Sequence, residues 1–234
     1  MSPVIPPAID GARGRARATW SRLRSTVRLD LARRGGPALR RAVDAVAASA
    51  GLLALAPLLA SAVVAVRLSS PGPIFYGQSR VGKDGRPLRI YKFRTMFVDA
   101  DARLESLRVQ NESKGDITFK IKADPRITRV GRILRKYSID ELPQLWNVVQ
   151  GSMTIFGPRP PVPSEVAKYG PRQRRRLEVT PGLTCHWQVE GRSDLSFDQQ
   201  VSLDLAYIDK STARDDVSIL LKTIPAVVTG KGAY

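Results

Sequence analysis

The chain has 234 residues, 43% of them hydrophobic, enough for one domain with an appendage or two small domains, which argues against wholesale disorder. Its 38 Lys and Arg against 21 Asp and Glu leave a formal charge of +17, favouring an anionic partner: nucleic acid, an anionic membrane or a phosphorylated substrate. A single cysteine (Cys185) and a single histidine (His186) exclude an internal disulfide and a Cys/His zinc site and leave little room for Ser-His-Asp chemistry, so catalysis must rest on carboxylates, arginines or a hard metal ion.

Residues 1–38 form a basic arm rich in Pro, Gly and Arg, with Asp10 and Asp30 as its acids. Within it Trp20, Leu23, Val27 and Leu31 stand at roughly helical spacing. Residues 19–31 therefore read either as a basic helix on a lipid surface or as a solvated tail. The long basic stretch, with no clear small-residue cleavage site after the apolar run, does not read as a signal peptide.

Composition changes abruptly over residues 42–66, where Asp44 is the only charge between Arg41 and Arg67. A helix of about 25 residues reaches about 37 Å, enough for a hydrocarbon core of about 30 Å, so a span is the starting expectation. Pro57 argues against it. Inside a helix it removes a hydrogen bond and kinks the run, leaving arms of about 15 and 9 residues, each too short to cross. Both flanks are also basic, and basic flanks stay on the cytoplasmic side. A re-entrant helix-break-helix over residues 39–68 satisfies both flanks and is favoured over a span, with a buried soluble hairpin as the third reading.

After Ser69-Ser70-Pro71-Gly72-Pro73 the sequence is that of a globular domain, residues 69–234. Short strands are predicted at 74–76 and 88–93, around a Lys83-Asp84-Gly85-Arg86-Pro87 turn, with a charged helix at 99–111. Helices follow at about 127–137, where Ile127, Val130, Ile133 and Leu134 make an apolar face, and at 139–149, ending at Gly151. Others are predicted at 172–178, 197–210 and 217–228. With no internal repeat, the expected class is α-dominated α+β: a helical hairpin plus a compact domain with a small β element.

Ser138-Ile139-Asp140-Glu141 carries two readings. Ser followed by Glu three residues on is a capping box that closes orphan N–H groups, with Asp140 complementing the helix dipole, although Pro143 sits badly in the second turn of such a helix. Alternatively, adjacent carboxylates at a helix start suit a metal–phosphate site, because Mg²⁺ takes one or two carboxylates plus phosphate oxygens. Lys92, Arg94, Arg135 and Arg159 are the cations that could face such a site, and each taken singly is as ordinary as any surface charge. Arg159 differs because Pro158 and Pro160 restrict the backbone from which a bidentate guanidinium would project. Gly191-Arg192, after Trp187-Gln188-Val189-Glu190, reads as an anion-facing turn or as a strand end. The basic run 172–176 lacks interleaved aromatics, so a membrane-facing or solvated patch is favoured there over nucleic-acid binding.

The chain resembles the bacterial sugar transferases, the monotopic polyprenyl-phosphate phosphoglycosyl transferases. The likeness covers about residues 39–234. It rests on an apolar run with a proline followed, in order, by Ser70-Pro71-Gly72-Pro73, Gln78-x-Arg80-Val81-Gly82, Tyr91-Lys92-Phe93-Arg94-Thr95-Met96, Asp124-Pro125-Arg126-Ile127-Thr128 and Asp140-Glu141-Leu142-Pro143-Gln144. Gly157-Pro158-Arg159-Pro160, Pro181-Gly182-Leu183-Thr184 and Gln188-x-x-Gly191-Arg192 complete the order. The resemblance implies a membrane hairpin broken near Pro57, an active site at the cytoplasmic face of the bacterial inner membrane, Asp140 as nucleophile and Glu141 as a holder of Mg²⁺. It implies phosphate or active-site roles for Lys92, Arg94, Arg135 and Arg159, and substrate contacts from Pro158, Pro160, Gln188 and Arg192. Asp204 is a weaker second acidic candidate near the metal.

The implied reaction is transfer of a sugar 1-phosphate from a nucleotide diphosphosugar, a UDP-hexose, to polyprenyl (undecaprenyl) phosphate through an aspartyl-phosphosugar. The ending Gly230-x-Gly232-Ala233-Tyr234 resembles members that transfer galactose or glucose 1-phosphate. The chain departs from the family pattern in two places: Ala56 stands where Ser often precedes the bending proline, and Cys185-His186 stand where Gly is common. Packing accounts for both of the latter. The competing classes are a non-catalytic basic membrane protein that binds anionic lipid or nucleic acid, and an inactive scaffold. Oligomeric state is open at this level.

Overall fold

The computed structural model describes residues 36–100, 102–103, 121 and 124–230. The basic arm before residue 36, most of the helix expected at 99–111 and the last four residues lie outside the described residues. Contacts divide the chain into Met1–Ala42 and Val43–Tyr234, and the second unit holds nearly all of the described fold.

The apolar run forms two helices, α1 (Gly36–Ala54) and α2 (Ala56–Ser69), bent by 62° at Leu55. At 19 and 14 residues both are longer than the arms expected from the sequence. Pro57 lies in the first turn of α2, where its missing N–H lacks an intrahelical acceptor in any case. Among the described residues no single helix is long and apolar enough to cross a membrane, whereas the bent pair together has the length and composition. One side of the pair packs inward: Ala48 joins Leu88, Ile90, Leu145 and Val148 in one core, and Ala62 and Val66 join Phe93 and Leu134 in another. Asp44, the one charge in the run, is also buried. The other side exposes Val43, Val46, Leu53, Leu58, Val64 and Leu68.

Strands β1 (Phe75–Val81) and β2 (Pro87–Phe93) pair antiparallel, Phe75 opposite Phe93 and Val81 opposite Pro87. The first is longer than the three residues expected, because pairing with β2 carries it through the polar Gln78-Ser79-Arg80. Side chains alternate along a strand, so Lys92 shares the face of the buried Leu88 and Ile90 and points toward the interior. Helix α3 (Arg129–Lys136) is capped by Thr128, whose Oγ1 accepts from Gly131 N. Gly131 is required there, since a Cβ would stand 2.0 Å from the Thr95 carbonyl oxygen.

The single helix expected at 139–149 is instead a 3₁₀ turn, Ile139–Glu141, followed by α4 (Gln144–Gln150). Pro143 has no N–H to give the Ile139 carbonyl, which accepts from Leu142 N instead. The capping box does not form: Ser138 adopts the left-handed region, φ 54°, and its side chain caps nothing.

Two short strands, β3 (Thr154–Phe156) and β4 (Gly182–Thr184), pair in parallel. Between them lie α5 (Pro163–Val166) and α6 (Pro171–Arg174), the latter continued by a 3₁₀ turn, Arg175–Leu177. The segment after β4 is helical, α7 (His186–Glu190), rather than a strand end. Helix α8 (Phe197–Lys210) begins and ends where predicted, behind a Ser196/Gln199 capping box. Helix α9 (Ala213–Thr229) starts a turn earlier than predicted because Thr212 and Asp215 form another. The class is therefore helix-rich with a small sheet component, as expected.

The basic run 172–176 is exposed at Arg172 and Arg174 but also has a structural role. Arg172 donates to Ser202 Oγ, Arg175 to Asp209, and Arg176 turns inward to Asp204, so three of its arginines bind the α6 segment to α8. Asp204 is 1% exposed. Cys185 is also buried and donates to Gln188 Oε1, while His186 sits edge-on to Tyr207.

Candidate active site

Glu141 is the hub. Lys92 Nζ lies 2.6 Å from its Oε1, Arg159 Nη1 lies 2.9 Å from its Oε2, and Arg159 Nη2 makes a further short contact with Oε1. Strand alternation delivers Lys92, the proline-flanked segment after β3 delivers Arg159, and the 3₁₀ turn delivers the carboxylate. Burial would raise the Glu141 carboxyl, but Arg159 and then Lys92 outweigh it and hold the group well below the usual carboxylate range. Lys92 is lowered, by burial first, with Glu141 opposing.

Asp140, next in the turn, is 7% exposed. Burial and then the Glu141 charge raise its carboxyl above the usual range, against the pull of Lys92, Arg135 and Arg159. Two neighbouring carboxylates are thus split: one is pinned ionised by direct ion pairs, and the other has no ion pair of its own among the described residues. Arg135, in the last turn of α3, brings a third cation to Asp140. Its Nη1 is buried with no hydrogen-bond partner among the described residues, a donor awaiting an acceptor.

The segment carrying Arg159 is fixed from several sides. Pro158 and Pro160 are fully buried, Gly182 N donates to the Pro158 carbonyl, and Arg80 Nη1 donates to the Pro160 carbonyl, the last two each at 2.9 Å. Gly182 permits this approach, since a Cβ there would fall 2.1 Å from Gly157 N. Arg192, at φ 48°, donates from Nε to the Gln188 carbonyl and from Nη2 to Ser138 Oγ at 3.4 Å, so it braces the turn bearing the two acids. The Gln188 side chain is engaged by Cys185.

Two expected site residues are elsewhere. Arg94 is buried with Nη1 and Nη2 each 2.7 Å from an acceptor, the Pro71 and Ser70 carbonyls respectively. The carbonyls beyond a helix C-terminus need donors, and this guanidinium supplies them at the end of α2. Asp204 is ion-paired to Arg176 at 2.8 Å, and among the described residues no three acidic, His or Cys side chains gather into a metal-binding group.

Two contributors escaped the sequence reading. Asn147 pins α4 to β2, accepting from Tyr91 N and donating to the Arg89 carbonyl. Arg80 appears in the sequence only as a motif letter. Its signal was the two-residue spacing to Gln78, which in a strand puts both side chains on one face.

A family model described as bacterial sugar transferase matches residues 36–230. The chain is 43% identical over 195 residues to the galactosyl transferase CpsE of Streptococcus agalactiae, covering 83% of this chain and 43% of that protein. It is 40% identical over 203 residues to the exopolysaccharide production protein ExoY of Rhizobium meliloti, covering 86% and 89% respectively. It is 39% identical over 217 residues to the UDP-glucose:undecaprenyl-phosphate glucose-1-phosphate transferase of Caulobacter vibrioides, covering 86% and 77%. The chain thus spans under half of CpsE and most of ExoY. With the motifs that position Asp140, Glu141 and Arg159 lying inside the matched region, the chain belongs to the bacterial sugar transferase family.

Proposed function

We propose that this protein transfers a hexose 1-phosphate from a UDP-hexose to polyprenyl phosphate through a covalent intermediate on Asp140, and releases UMP. One observation supports this most: a buried carboxylate with no ion pair of its own among the described residues stands beside an ionised partner, within a field of three cations, one of which has a buried donor without an acceptor among those residues. Lys92, Arg135 and Arg159 outnumber the two carboxylates, so the site has positive charge to spare for a diphosphate. The relatives' names, which include a UDP-galactose-lipid carrier transferase of Erwinia amylovora, support the choice of donor and acceptor.

In the first half-reaction an Asp140 oxygen bonds to the β-phosphorus, the bond from that phosphorus to the bridging oxygen breaks, and UMP leaves with the electron pair. In the second, an oxygen of polyprenyl phosphate bonds to the same phosphorus and the Asp140 carboxylate is the leaving group, giving polyprenyl-diphosphate-hexose. Phosphoryl transfer demands positioning and charge stabilisation more than covalent activation. Arg159 and Lys92 supply the charge and hold Glu141, and Arg135 offers its open donor to a phosphate oxygen.

Magnesium fits a limited role here. Asp140 and Glu141 offer the one or two carboxylates that Mg²⁺ uses when substrate phosphates complete its shell, and no protein-only cage is present among the described residues. When bound, the ion would neutralise charge building on the leaving phosphate. We further propose that α1 and α2 enter the bilayer from the cytoplasmic side and return to it, burying Val46, Leu53 and Leu68 in lipid while their inner faces stay on the domain.

The test is intact-protein mass after incubation with UDP-hexoses and no lipid. Wild type gains one hexose phosphate, loses it on adding undecaprenyl phosphate, and follows ping-pong kinetics. Release of UMP by Asp140→Asn at the wild-type rate, or intersecting initial-rate lines, rejects the covalent route. Affinity that falls steeply with salt and needs neither carboxylate would instead favour a basic binding protein.

A further inference from the structure

Arg80 lies on β1, outside the carboxylate turn, yet its side chain ends on the segment that carries Arg159. Its Nη1 donates to the Pro160 carbonyl at 2.9 Å, while Nε and Nη2 both donate to Gln78 Oε1, at 3.1 and 2.7 Å. The fork is thereby fixed from both ends. Three carbonyls of the Pro158–Pro161 stretch are held: Pro158 by Gly182 N, Pro161 by Val81 N, and Pro160 by Arg80. The first two donors are backbone amides. The third is a side chain, and it grips the residue immediately after Arg159.

A guanidinium is an odd choice if only a carbonyl needs closing, since a neutral donor would do so without burying a charge. Its charge sits in the field of Arg159, Glu165 and Glu141, and burial followed by Arg159 pushes its pKa down to about 10. A cation at Arg80 therefore repels the Arg159 guanidinium while its hydrogen bond fixes the backbone from which Arg159 projects. Both effects limit the directions Arg159 can take, and Glu141 lies along the one observed.

We infer that Arg80, held by Gln78, is a positioning residue for the Arg159 clamp: it sets where Arg159 meets Glu141 and the donor's diphosphate without touching substrate itself. This rests on the proposed phosphate role of Arg159. Misplacement of a clamping group by about 1 Å costs up to about 100-fold in rate. Lysine at position 80 would keep the charge but could not bridge Gln78 and the Pro160 carbonyl as a planar fork does.

The experiment is a double-mutant cycle on the full chain with undecaprenyl phosphate, reading kcat/KM for UMP release from UDP-galactose and UDP-glucose alongside melting temperature. Arg159→Gln, Arg80→Met and the double variant are compared. Positioning through Arg159 requires Arg80→Met to lose about 10- to 100-fold, Arg80→Lys to rescue little, and the double variant to be no worse than Arg159→Gln alone. Losses that multiply overturn the inference, as does full rescue by Arg80→Lys. Should Arg80→Met fail to fold, Gln78→Leu takes its place in the same cycle, because it frees the fork and leaves the charge. An Arg159→Gln variant with wild-type kcat/KM refutes the phosphate reading of Arg159 itself, a result distinct from multiplicative losses.

Discussion

Lys92 and Glu141, 49 residues apart, meet at 2.6 Å where a strand's inward face abuts the 3₁₀ turn of Asp140. The ion pair keeps Glu141 charged beside a carboxylate whose own ionisation that charge opposes. Removing Lys92 should therefore damage chemistry more than folding, since Arg159 still holds both Glu141 oxygens. Lys92→Met is expected to lower kcat/KM for UMP release by about 100-fold, the scale of losing one preorganised charge, while shifting the melting temperature by less than about 4 °C. A variant that unfolds but keeps its specific activity would contradict this.

The pH profile should reveal the split between the two acids. The Asp140 carboxyl is raised in the folded protein, by burial first and by Glu141 second, so the proposed nucleophile loses its charge as pH falls through a range above that of an ordinary carboxylate, about 3.9. The acid limb of kcat/KM should sit correspondingly high. Glu141→Gln removes the opposing charge and frees Lys92 and Arg159 to act on Asp140, so in that slower variant the limb should move to lower pH. Movement to higher pH would show that the titrating group is not Asp140.

Legibility in the sequence followed the range of the interaction. Helix α8 was readable to the residue because its cap, Ser196 with Gln199, and its apolar spacing are local. The broken hairpin was readable from Pro57, and the interrupted 139–149 helix was foreshadowed by Pro143. What the sequence left ambiguous was the destination of each arginine. A guanidinium that suits a phosphate also suits a row of orphan carbonyls or a buried aspartate, and only tertiary packing sends Arg94 to Ser70 and Pro71, Arg176 to Asp204, and Arg159 to Glu141. Likewise Ser138 carries a capping-box sequence but stands in a left-handed turn, because the helix it would cap is broken four residues later.

Arg94 tests that distinction. Both of its terminal nitrogens serve carbonyls between α2 and β1, so Arg94→Ala leaves two acceptors without donors at the junction of the helical pair and the domain. Hydrogen bonds from charged groups contribute about 1.5–3 kcal/mol each, and the expected loss is about 3 kcal/mol of stability. Limited proteolysis should detect new cleavage near residues 70–73. The KM for UDP-hexose in the folded fraction should stay within about twofold of wild type, whereas a phosphate contact would raise it tenfold or more, about 1.4 kcal/mol.

Asp204 separates a metal ligand from a strut. It is 1% exposed and paired with Arg176, which also donates to Tyr169 Oη, and burial pushes its carboxyl up to about 6 against the Arg176 charge. Removing one partner of a buried pair strands the other charge and costs about 3–5 kcal/mol, so Asp204→Ala should lower the melting temperature by about 10 °C or more. Because its folded pKa lies above the unfolded value, Asp204 binds its proton more readily in the folded protein between about pH 4 and 6. Its contribution to stability therefore declines as pH rises through that window, and the Asp204→Ala penalty should be larger at the acid end than at pH 7. Asp204→Asn, which keeps the volume and one acceptor, should be milder, and its Mg²⁺ concentration for half-maximal activity should match wild type. A tenfold rise in that concentration with unchanged melting would return Asp204 to the metal site.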